Sequence, residues 1–298
     1  MAQFEIKDGV AIIPDGTTEI GYDAFKGCTS LESVTIPESV TEIGRWAFDG
    51  CTSLKSITIP ESVTKIGWMA FKGCTSLEKV IIPESVTEIE GFAFEDCASL
   101  ESVTIPNSVT KIEVSTFEGC TSLESIVLPK VRRIERYAFD GCTSLKSITI
   151  PKSVKKIEEG AFYGCTSLES VTIPKGVKKI NGRTFLNCTS LKSITIPESV
   201  TEIGRIAFDG CTSLESITIP NSVTEIGDYA FNGCTSLESI TFSASATKIG
   251  IGVVDGCTSL VAINVPAKRS HNYKWYLRPI VYDKVVELAP EKKTKVKK

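Results

Sequence analysis

The stretch Leu31-Glu-Ser-Val-Thr-Ile-Pro-Glu-Ser-Val-Thr-Glu-Ile-Gly-Arg-Trp-Ala-Phe-Asp-Gly-Cys-Thr-Ser53 decides the fold, because close copies of it follow one another along most of the chain. Eleven cysteines mark the copies and lie 23 residues apart, except for one step of 22 residues. The missing residue falls between Pro129 and Ile134, where Pro-Lys-Val-Arg-Arg-Ile replaces the usual Pro-Glu-Ser-Val-Thr-Glu-Ile. The chain is therefore a tandem repeat, and each position of the quoted unit defines a column of equivalent residues.

Composition describes an ordinary soluble globular chain. The 298 residues are 42% apolar and 23% charged, with 33 Lys and Arg against 36 Asp and Glu, for a formal net charge of −3. No window approaches the ~20 consecutive apolar residues that a membrane-spanning helix needs. Residues 1–10 lack the apolar core of a secretory signal. The single histidine, His271, argues against a histidine-based catalytic site.

The first half of the unit predicts a strand. Ser33 to Ile36 alternates polar and apolar residues, and Pro37 then removes the next backbone donor. Stacked copies would form a parallel sheet, in which twelve strands about 4.8 Å apart would extend ~50–60 Å.

The second half of the unit predicts a turn of helix. After the proline, apolar residues recur at steps of three or four, which indicates about one helical turn around Ala47-Phe48. The Gly50 column is glycine in nine units and Asp96 or Asn187 in the other two. These residues tolerate positive φ, so the column predicts a left-handed position that ends the helical turn. The glycosylation sequon that begins at Asn187 is then explained by the turn.

The repeated pattern L-x-x-[VI]-x-[IL]-P-x-x-V-x-x-I-x-x-x-A-F-x-G-C-T-S closely resembles the BspA-like leucine-rich repeats of the treponemal type, over residues 9–266. The resemblance implies an α/β repeat solenoid, a curved right-handed stack of about eleven units that binds other macromolecules, often in surface or adhesion proteins. It implies no catalytic residues and no cofactor. The departures are Val253-Val254 in place of Ala-Phe, Ser243 in place of Pro, and no visible signal or wall anchor.

The chain leaves the repeat near its end. We expect a solenoid over residues 1–266, an aromatic cap over 267–289 that covers the open end, and a disordered basic tail over 290–298.

The cysteines have two readings. Stacking could bring neighbours to about 5 Å between Cα atoms, which is within disulfide range, whereas the wide spacing in sequence does not suit a metal site. The odd number and the identical apolar context favour eleven reduced, buried thiols. The motifs G-x-S-x-G, G-x-x-x-x-G-K-[ST] and H-E-x-x-H are absent, so we expect no enzyme.

Two adjacent columns, those of Arg45 and Trp46, vary most between units and are predicted to lie on the surface. In the first four units they carry large apolar side chains, which predict a stripe for a partner or for self-association. The alternatives are that unconstrained columns drift, or that the tryptophans fold back and serve packing. The residues of this predicted site are Tyr22, Trp46, Trp68, Met69 and Phe92.

A basic region lies between residues 129 and 183, where twelve Lys and Arg face five acidic residues. Six of these cations occupy two columns in three successive units, which predicts a site for an acidic protein or another anionic macromolecule. The alternative is a solvated face, and the acidic chain without a known motif argues against nucleic acid. The predicted site comprises Arg132, Arg133, Lys155, Lys156, Lys178 and Lys179.

The function that these patterns favour is a non-enzymatic leucine-rich-repeat module for protein binding or adhesion, at the cell surface or secreted as the resemblance implies. The rival is an intracellular scaffold or adaptor, favoured by free thiols and by the absence of a visible signal. The Ser33 and Thr35 columns of the sheet suit strands and are expected to hydrogen-bond along the stack. Their regular hydroxyls could instead template ice, although a curved sheet disfavours a flat lattice.

Overall fold

The structure, a computed structural model, describes residues 4–243, 245–265 and 285–287. These residues form a parallel β-solenoid of about eleven coils, one coil for each repeat unit. The strands are β1 (Ile6–Lys7), β2 (Val10–Ile12), β3 (Glu19–Ile20), β4 (Ser33–Thr35), β5 (Glu42–Ile43), β6 (Ser56–Thr58), β7 (Lys65–Ile66), β8 (Lys79–Ile81), β9 (Glu88–Ile89), β10 (Ser102–Thr104), β11 (Lys111–Ile112), β12 (Ser125–Val127), β13 (Arg133–Ile134), β14 (Lys156–Ile157), β15 (Ser170–Thr172), β16 (Lys179–Ile180), β17 (Ser193–Thr195), β18 (Glu202–Ile203), β19 (Ser216–Thr218), β20 (Glu225–Ile226), β21 (Ser239–Thr241), β22 (Lys248–Ile249), β23 (Ala262–Val265) and β24 (Val285–Glu287).

Most coils contribute two short strands, which stack on the equivalent strands of the neighbouring coils; in one coil the first strand is reduced to a bridge between Ser147 and Ser170. The three-residue strands before the proline pair in parallel and in unit register, as Ser102 pairs with Ser125. This confirms the predicted parallel sheet. A second ladder of two-residue strands, which the sequence pattern did not predict, follows the proline and pairs Ile43 with Ile66.

The predicted helical turn is wrong: no helix occurs among the described residues. The amides around Phe48 bond to the next coil instead, as Phe48 N–H donates to the Ala70 carbonyl at 2.8 Å and Gly50 N–H to the Lys72 carbonyl at 2.7 Å. Residues with positive φ, Trp46 at 57° and Gly50 at 73°, bracket the segment, and a right-handed helix cannot contain them. No segment within the described ranges is thus a helix that could cross a membrane.

The left-handed prediction for the Gly50 column is confirmed in all eleven units. Asp96 and Asn187, which replace the glycine, both have φ of 59°. The left-handed turn therefore explains why asparagine occupies position 187 and so creates the sequon, and the following Cys188 is fully buried.

A stack of aromatic rings forms the centre of the core. Ten phenylalanines from Phe25 to Phe231 are fully buried, and neighbouring rings lie nearly parallel with centroids 5.1–5.6 Å apart. Full burial of one such ring contributes roughly 1.5–3 kcal/mol. The core is continuous along the solenoid, so each coil is stabilised mainly by its neighbours.

The two ends of the stack are closed differently. At the amino end β1 and β2 form an antiparallel hairpin, and the Phe4 ring stacks on Phe25 with centroids 5.4 Å apart. At the other end β24 adds a parallel strand to β23, with Ile263 paired with Val285. The rest of the predicted cap (267–289) and the whole predicted tail (290–298) lie outside the described residues. The right-handed curvature stays a prediction.

Among the described residues, the expected hydrogen bonds of the Ser33 and Thr35 columns along the stack occur at one place, where Asn264 Nδ2 donates to Thr241 Oγ1 at 3.2 Å. Most inter-coil hydroxyl bonds come instead from columns beyond the first ladder, such as Thr64 Oγ1 to the Thr41 carbonyl at 3.2 Å and Ser62 Oγ to the Val40 carbonyl at 2.6 Å. The side chains of the Ser33 and Thr35 columns stand on the outer face of the sheet. They point away from the strand carbonyls, which already accept hydrogen bonds from backbone amides.

Candidate binding surfaces

The Trp46 column lies at a sharp corner of every coil, just after the second ladder. Each residue there has positive φ, and in the ten coils before the last its N–H donates to the carbonyl of the Arg45 column in the next coil, as Trp46 N–H does to the Trp68 carbonyl at 2.9 Å. Positive φ is unfavourable for most side chains, by about 1–2 kcal/mol, and the inter-coil hydrogen bond offsets part of that cost. The corner thus turns most side chains of both columns toward the surface, although Ser115 is buried. The residues of the column are Asp23, Trp46, Met69, Phe92, Ser115, Tyr137, Gly160, Arg183, Ile206, Tyr229 and Gly252.

The structure brings Tyr22, Trp46, Trp68, Met69 and Phe92 together, and we call this set the aromatic stripe. Tyr22 and Trp46 meet edge to face with ring centroids 5.0 Å apart, and Trp46 Nε1 donates to Met69 Sδ at 2.8 Å. The Trp68 and Phe92 rings lie 4.8 Å apart. Contacts of this kind each contribute about 0.5–1.5 kcal/mol.

Two cations join the parts of the stripe. The Arg45 guanidinium lies 4.6 Å from the Trp46 ring centroid and 5.8 Å from the Trp68 ring centroid, and Lys26 Nζ lies 4.5 Å from Trp46. Cation–π geometry of this type attracts the positive groups to the ring faces. The aromatic stripe is therefore one surface that presents rings, a thioether and the Arg45 guanidinium, whereas the Lys26 ammonium is also paired with Asp49 at 3.2 Å.

The stripe is only partly exposed. Tyr22 is 63% exposed, whereas Trp46, Trp68, Met69 and Phe92 are half-buried. Part of each tryptophan thus packs on the solenoid, and truncation of these residues removes some stability as well as surface. A binding test of the stripe needs a control with the same kind of truncation.

Elsewhere the same corner shows a pairing of large with small residues. The Tyr137 ring lies where a Cβ on Gly160 would be, and Tyr229 lies in the same way over Gly252. Tyr137 and Tyr229 thus each cover the glycine of the following coil. At these two places the residue of the Trp46 column fits its neighbour, which favours constraint by the neighbouring coil over free drift.

The six cations of the predicted site for an anionic partner, which we call the basic band, lie in two columns with different surroundings. The inner column, Arg133, Lys156 and Lys179, lies on β13, β14 and β16, and Arg133 pairs directly with Lys156 in the ladder. An acidic column two residues further on neutralises it: Arg133 Nε lies 2.6 Å from Glu135 Oε1, and Lys156 Nζ lies 3.3 Å from Glu158 Oε1.

Lys179 belongs to the same neutralised column, with its Nζ 2.6 Å from Glu202 Oε1. The outer column differs, since Arg132, Lys155 and Lys178 are exposed and form no ion pair with any residue the structure describes. Sequence reasoning counted the cations correctly but missed the acidic column beside them.

The cysteines form a ladder of free thiols along the core. Ten are buried, and each donates S–H to the carbonyl of the phenylalanine 25 or 26 residues earlier, as Cys51 Sγ does to Phe25 O at 3.0 Å. Burial, with the nearby Cys28, raises the pKa of Cys51 to about 12. Cys28 is only half-buried, because no complete coil precedes it, so the prediction of eleven buried thiols is wrong at this one position.

The described ranges offer no group of side chains suited to a metal ion. No three His, Cys, Asp or Glu side chains there are grouped to hold a metal ion. An open groove of about 460 Å³ lies over the glycines Gly204, Gly227 and Gly250, and charged residues of both signs line it, such as Glu225 and Lys248. These two side chains lie 3.4 Å apart as an ion pair.

Comparison with known proteins agrees with this architecture. A family model for the BspA type leucine rich repeat region matches residues 10–124, 110–215 and 155–276. The solved structure of a leucine-rich repeat protein from Bacteroides ovatus is 37% identical over 94% of this chain and 84% of that chain, with a TM-score of 0.60. A leucine rich cell surface protein from Faecalibacterium prausnitzii is 34% identical over 90% and 89% of the two chains, with a TM-score of 0.55.

A leucine-rich repeat protein from T. pallidum is 31% identical over 72% of this chain and 87% of its own, with a TM-score of 0.47. A search of curated protein sequences finds no match. The family match spans well over half of the chain and extends through all the described coils. The chain belongs to the family of proteins with BspA-type leucine-rich repeats.

Proposed function

We propose that this chain is a non-enzymatic module that binds other proteins, in adhesion at a cell surface, and that the aromatic stripe is its main contact. The observation that carries the proposal is the continuity of Tyr22, Trp46, Trp68, Met69 and Phe92 over four successive coils, joined by ring, sulfur and cation contacts. Tryptophan, tyrosine and arginine dominate the energetic centres of protein interfaces. A rigid solenoid holds such residues in place at little entropic cost.

The family supports the class of function. Leucine-rich repeats are generally protein-interaction modules, and the F. prausnitzii relative is described as a cell surface protein. The described coils contain no constellation that would favour catalysis over binding.

The second candidate is an intracellular scaffold with the same fold. Eleven free cysteines favour it, because oxidising compartments tend to convert accessible thiols to disulfides. Burial of ten of these thiols weakens that argument, since buried thiols react slowly in any compartment.

The test is capture by the immobilised full chain from two sources, purified host matrix proteins and a cytosolic extract. The variant Trp46→Ala/Trp68→Ala should reduce binding more than tenfold, because hot-spot truncations commonly cost at least ~2 kcal/mol. The matched control, Tyr137→Ala/Tyr229→Ala, truncates two aromatics at the same corner outside the stripe and should retain binding.

Three outcomes decide the proposal. Capture of a matrix protein that needs the stripe supports adhesion, whereas stripe-dependent capture from cytosol alone supports the scaffold. Equal loss of binding in both double variants would show that corner packing, and not the stripe, is responsible.

A further inference from the structure

A set of cations that form no ion pair with the part of the chain that the structure describes lies beside the neutralised inner column of the basic band. Arg132, Lys155 and Lys178 are exposed and form no ion pair with a described residue. Three further lysines follow the prolines of the same coils and are equally exposed and unpaired among the described residues. These additional lysines are Lys130, Lys152 and Lys175.

Each of three successive coils thus presents two free cations at the corner between the two ladders. The residues between them, Val131, Val154 and Val177, are buried, so the two cations of each coil flank a buried valine. Ring centroids in these coils are 5.4 and 5.5 Å apart, which shows that successive coils are spaced at about 5 Å.

The Lys155 side chain shows how the columns extend along the solenoid. Its Nζ would lie 2.7 Å from a Cβ on Gly176, a position that is serine in most other units. The lysine therefore crosses to the next coil and places its ammonium near the corner that carries Lys175. The glycine provides the room for this crossing.

The run of cations is confined to these three coils. In the column of Lys130, Lys152 and Lys175, the preceding unit has Asn107 and the following unit has Glu198. Six like charges on three coils about 5 Å apart repel one another, and the structure describes no carboxylate paired with any of them. An external polyanion would relieve that repulsion.

We propose that these six residues form a binding site for a linear sulfated polysaccharide that lies along the solenoid axis. We call the set Lys130, Arg132, Lys152, Lys155, Lys175 and Lys178 the polyanion face. A linear chain with a regular charge repeat suits two adjacent columns of cations on flexible stems. This inference rests on the proposed role of the chain as a binding module but not on the aromatic stripe.

Other anionic partners fit the polyanion face less well. Single-stranded nucleic acid is held by bases that stack on aromatic side chains, and neither column contains an aromatic residue. A folded acidic protein needs an apolar interface centre, whereas Val131, Val154 and Val177 between the cations are buried. Sulfate groups require only positive charge and hydrogen-bond donors, which Lys and Arg supply.

The test measures binding of the full chain to heparin, as a probe, over a range of salt concentrations. The variant Lys152→Gln/Lys155→Gln/Lys175→Gln/Lys178→Gln should weaken binding more than tenfold and flatten the salt dependence. By the value known for nucleic acids, each lost contact lowers the slope of log K against log salt by ~0.7–0.9, so four contacts should lower it by about 3.

The matched control removes the same charge from four lysines that are ion-paired in the same or adjoining coils. It should retain most of the affinity, and thermal melting should show that both variants are folded. The control is Lys146→Gln/Lys156→Gln/Lys179→Gln/Lys192→Gln.

The polyanion face would be rejected if both quadruple variants lose affinity equally, since net charge alone would then explain binding. Absence of heparin binding at 150 mM salt would also overturn it, as would equal binding of desulfated heparin, polyglutamate or oligo-dT. All of these results leave the aromatic stripe intact, so they are distinguishable from failure of the protein-binding proposal.

Discussion

Replacement of Gly160 by alanine should destabilise the solenoid through two separable effects. Gly160 has φ of 64°, and a Cβ there would overlap the ring of Tyr137 from the preceding coil. The left-handed backbone alone costs an alanine about 1–2 kcal/mol. Displacement of the half-buried Tyr137 ring adds ~1–2 kcal/mol, so the free energy of unfolding should fall by about 2–4 kcal/mol.

Two comparisons separate these effects. Gly141 has φ of 70° and its added Cβ would have no neighbour closer than 3.7 Å, so Gly141→Ala should show the backbone cost alone. In a Tyr137→Ala background, Gly160→Ala should likewise cost only about 1–2 kcal/mol. The coupling energy between the two sites should therefore be ~1–2 kcal/mol.

Urea unfolding of the wild type, both single variants and the double variant measures this coupling. Additivity of independent sites holds within about 0.5 kcal/mol. A coupling energy below that limit would refute the reasoning that corner residues are chosen to fit the neighbouring coil, and the variation of the column would then be drift.

Three further outcomes are expected. A thiol reagent should label Cys28 much faster than the ten buried cysteines of the native protein, and Cys28→Ser should abolish the fast phase; several fast thiols would contradict the buried ladder. Burial, and next the nearby Glu118, raise the pKa of Asp140 to about 7, so the folded state holds this proton more tightly than the unfolded chain does. That stabilisation is complete below about pH 4 and is lost as pH rises through 7. In urea unfolding, Asp140→Asn should therefore gain more stability over the wild type at pH 8 than at pH 5, and an equal gain would place the carboxyl in solvent. Phe162→Ala should cost about 3–5 kcal/mol by the same assay and raise amide exchange in adjacent coils, whereas a cost below 1 kcal/mol would mean that the ring stack is dispensable.

Residue patterns predicted those features of the fold that depend on contacts or backbone conformations within a single repeat unit. The alternation before Pro37 predicted the first ladder, and the tolerance of Asp96 and Asn187 for positive φ predicted the left-handed column. The prediction of a helix around Phe48 was wrong because the amides there bond to the next coil. The spacing of apolar residues within one unit does not distinguish such inter-coil hydrogen bonds from those of a helix. The positive φ at Trp46 was missed since tryptophan is a poor residue for it, and only Gly160 and Gly252 hinted at the corner.

Prediction of the candidate sites from the sequence was also incomplete. Sequence columns predicted that large side chains of successive units would meet, and Tyr22 and Trp46 do so. They did not reveal that Glu135 and Glu158 neutralise the inner basic column, because each column was compared only with itself in other units; Arg133 contacts Glu135 in its own coil and Glu158 in the next. A comparison of columns two positions apart would have found the acidic residues.

The central claim is that the aromatic stripe contacts the partner, and site-specific photo-cross-linking tests it most directly. Benzoylphenylalanine in place of exposed Tyr22 should give a cross-linked product with a captured matrix protein, and Trp46→Ala/Trp68→Ala should remove that product. The same photo-reactive residue at Tyr163, on the turn segment of a central coil, should give none. Equal cross-linking from Tyr163, or a Tyr22 product that persists without the tryptophans, would contradict the claim.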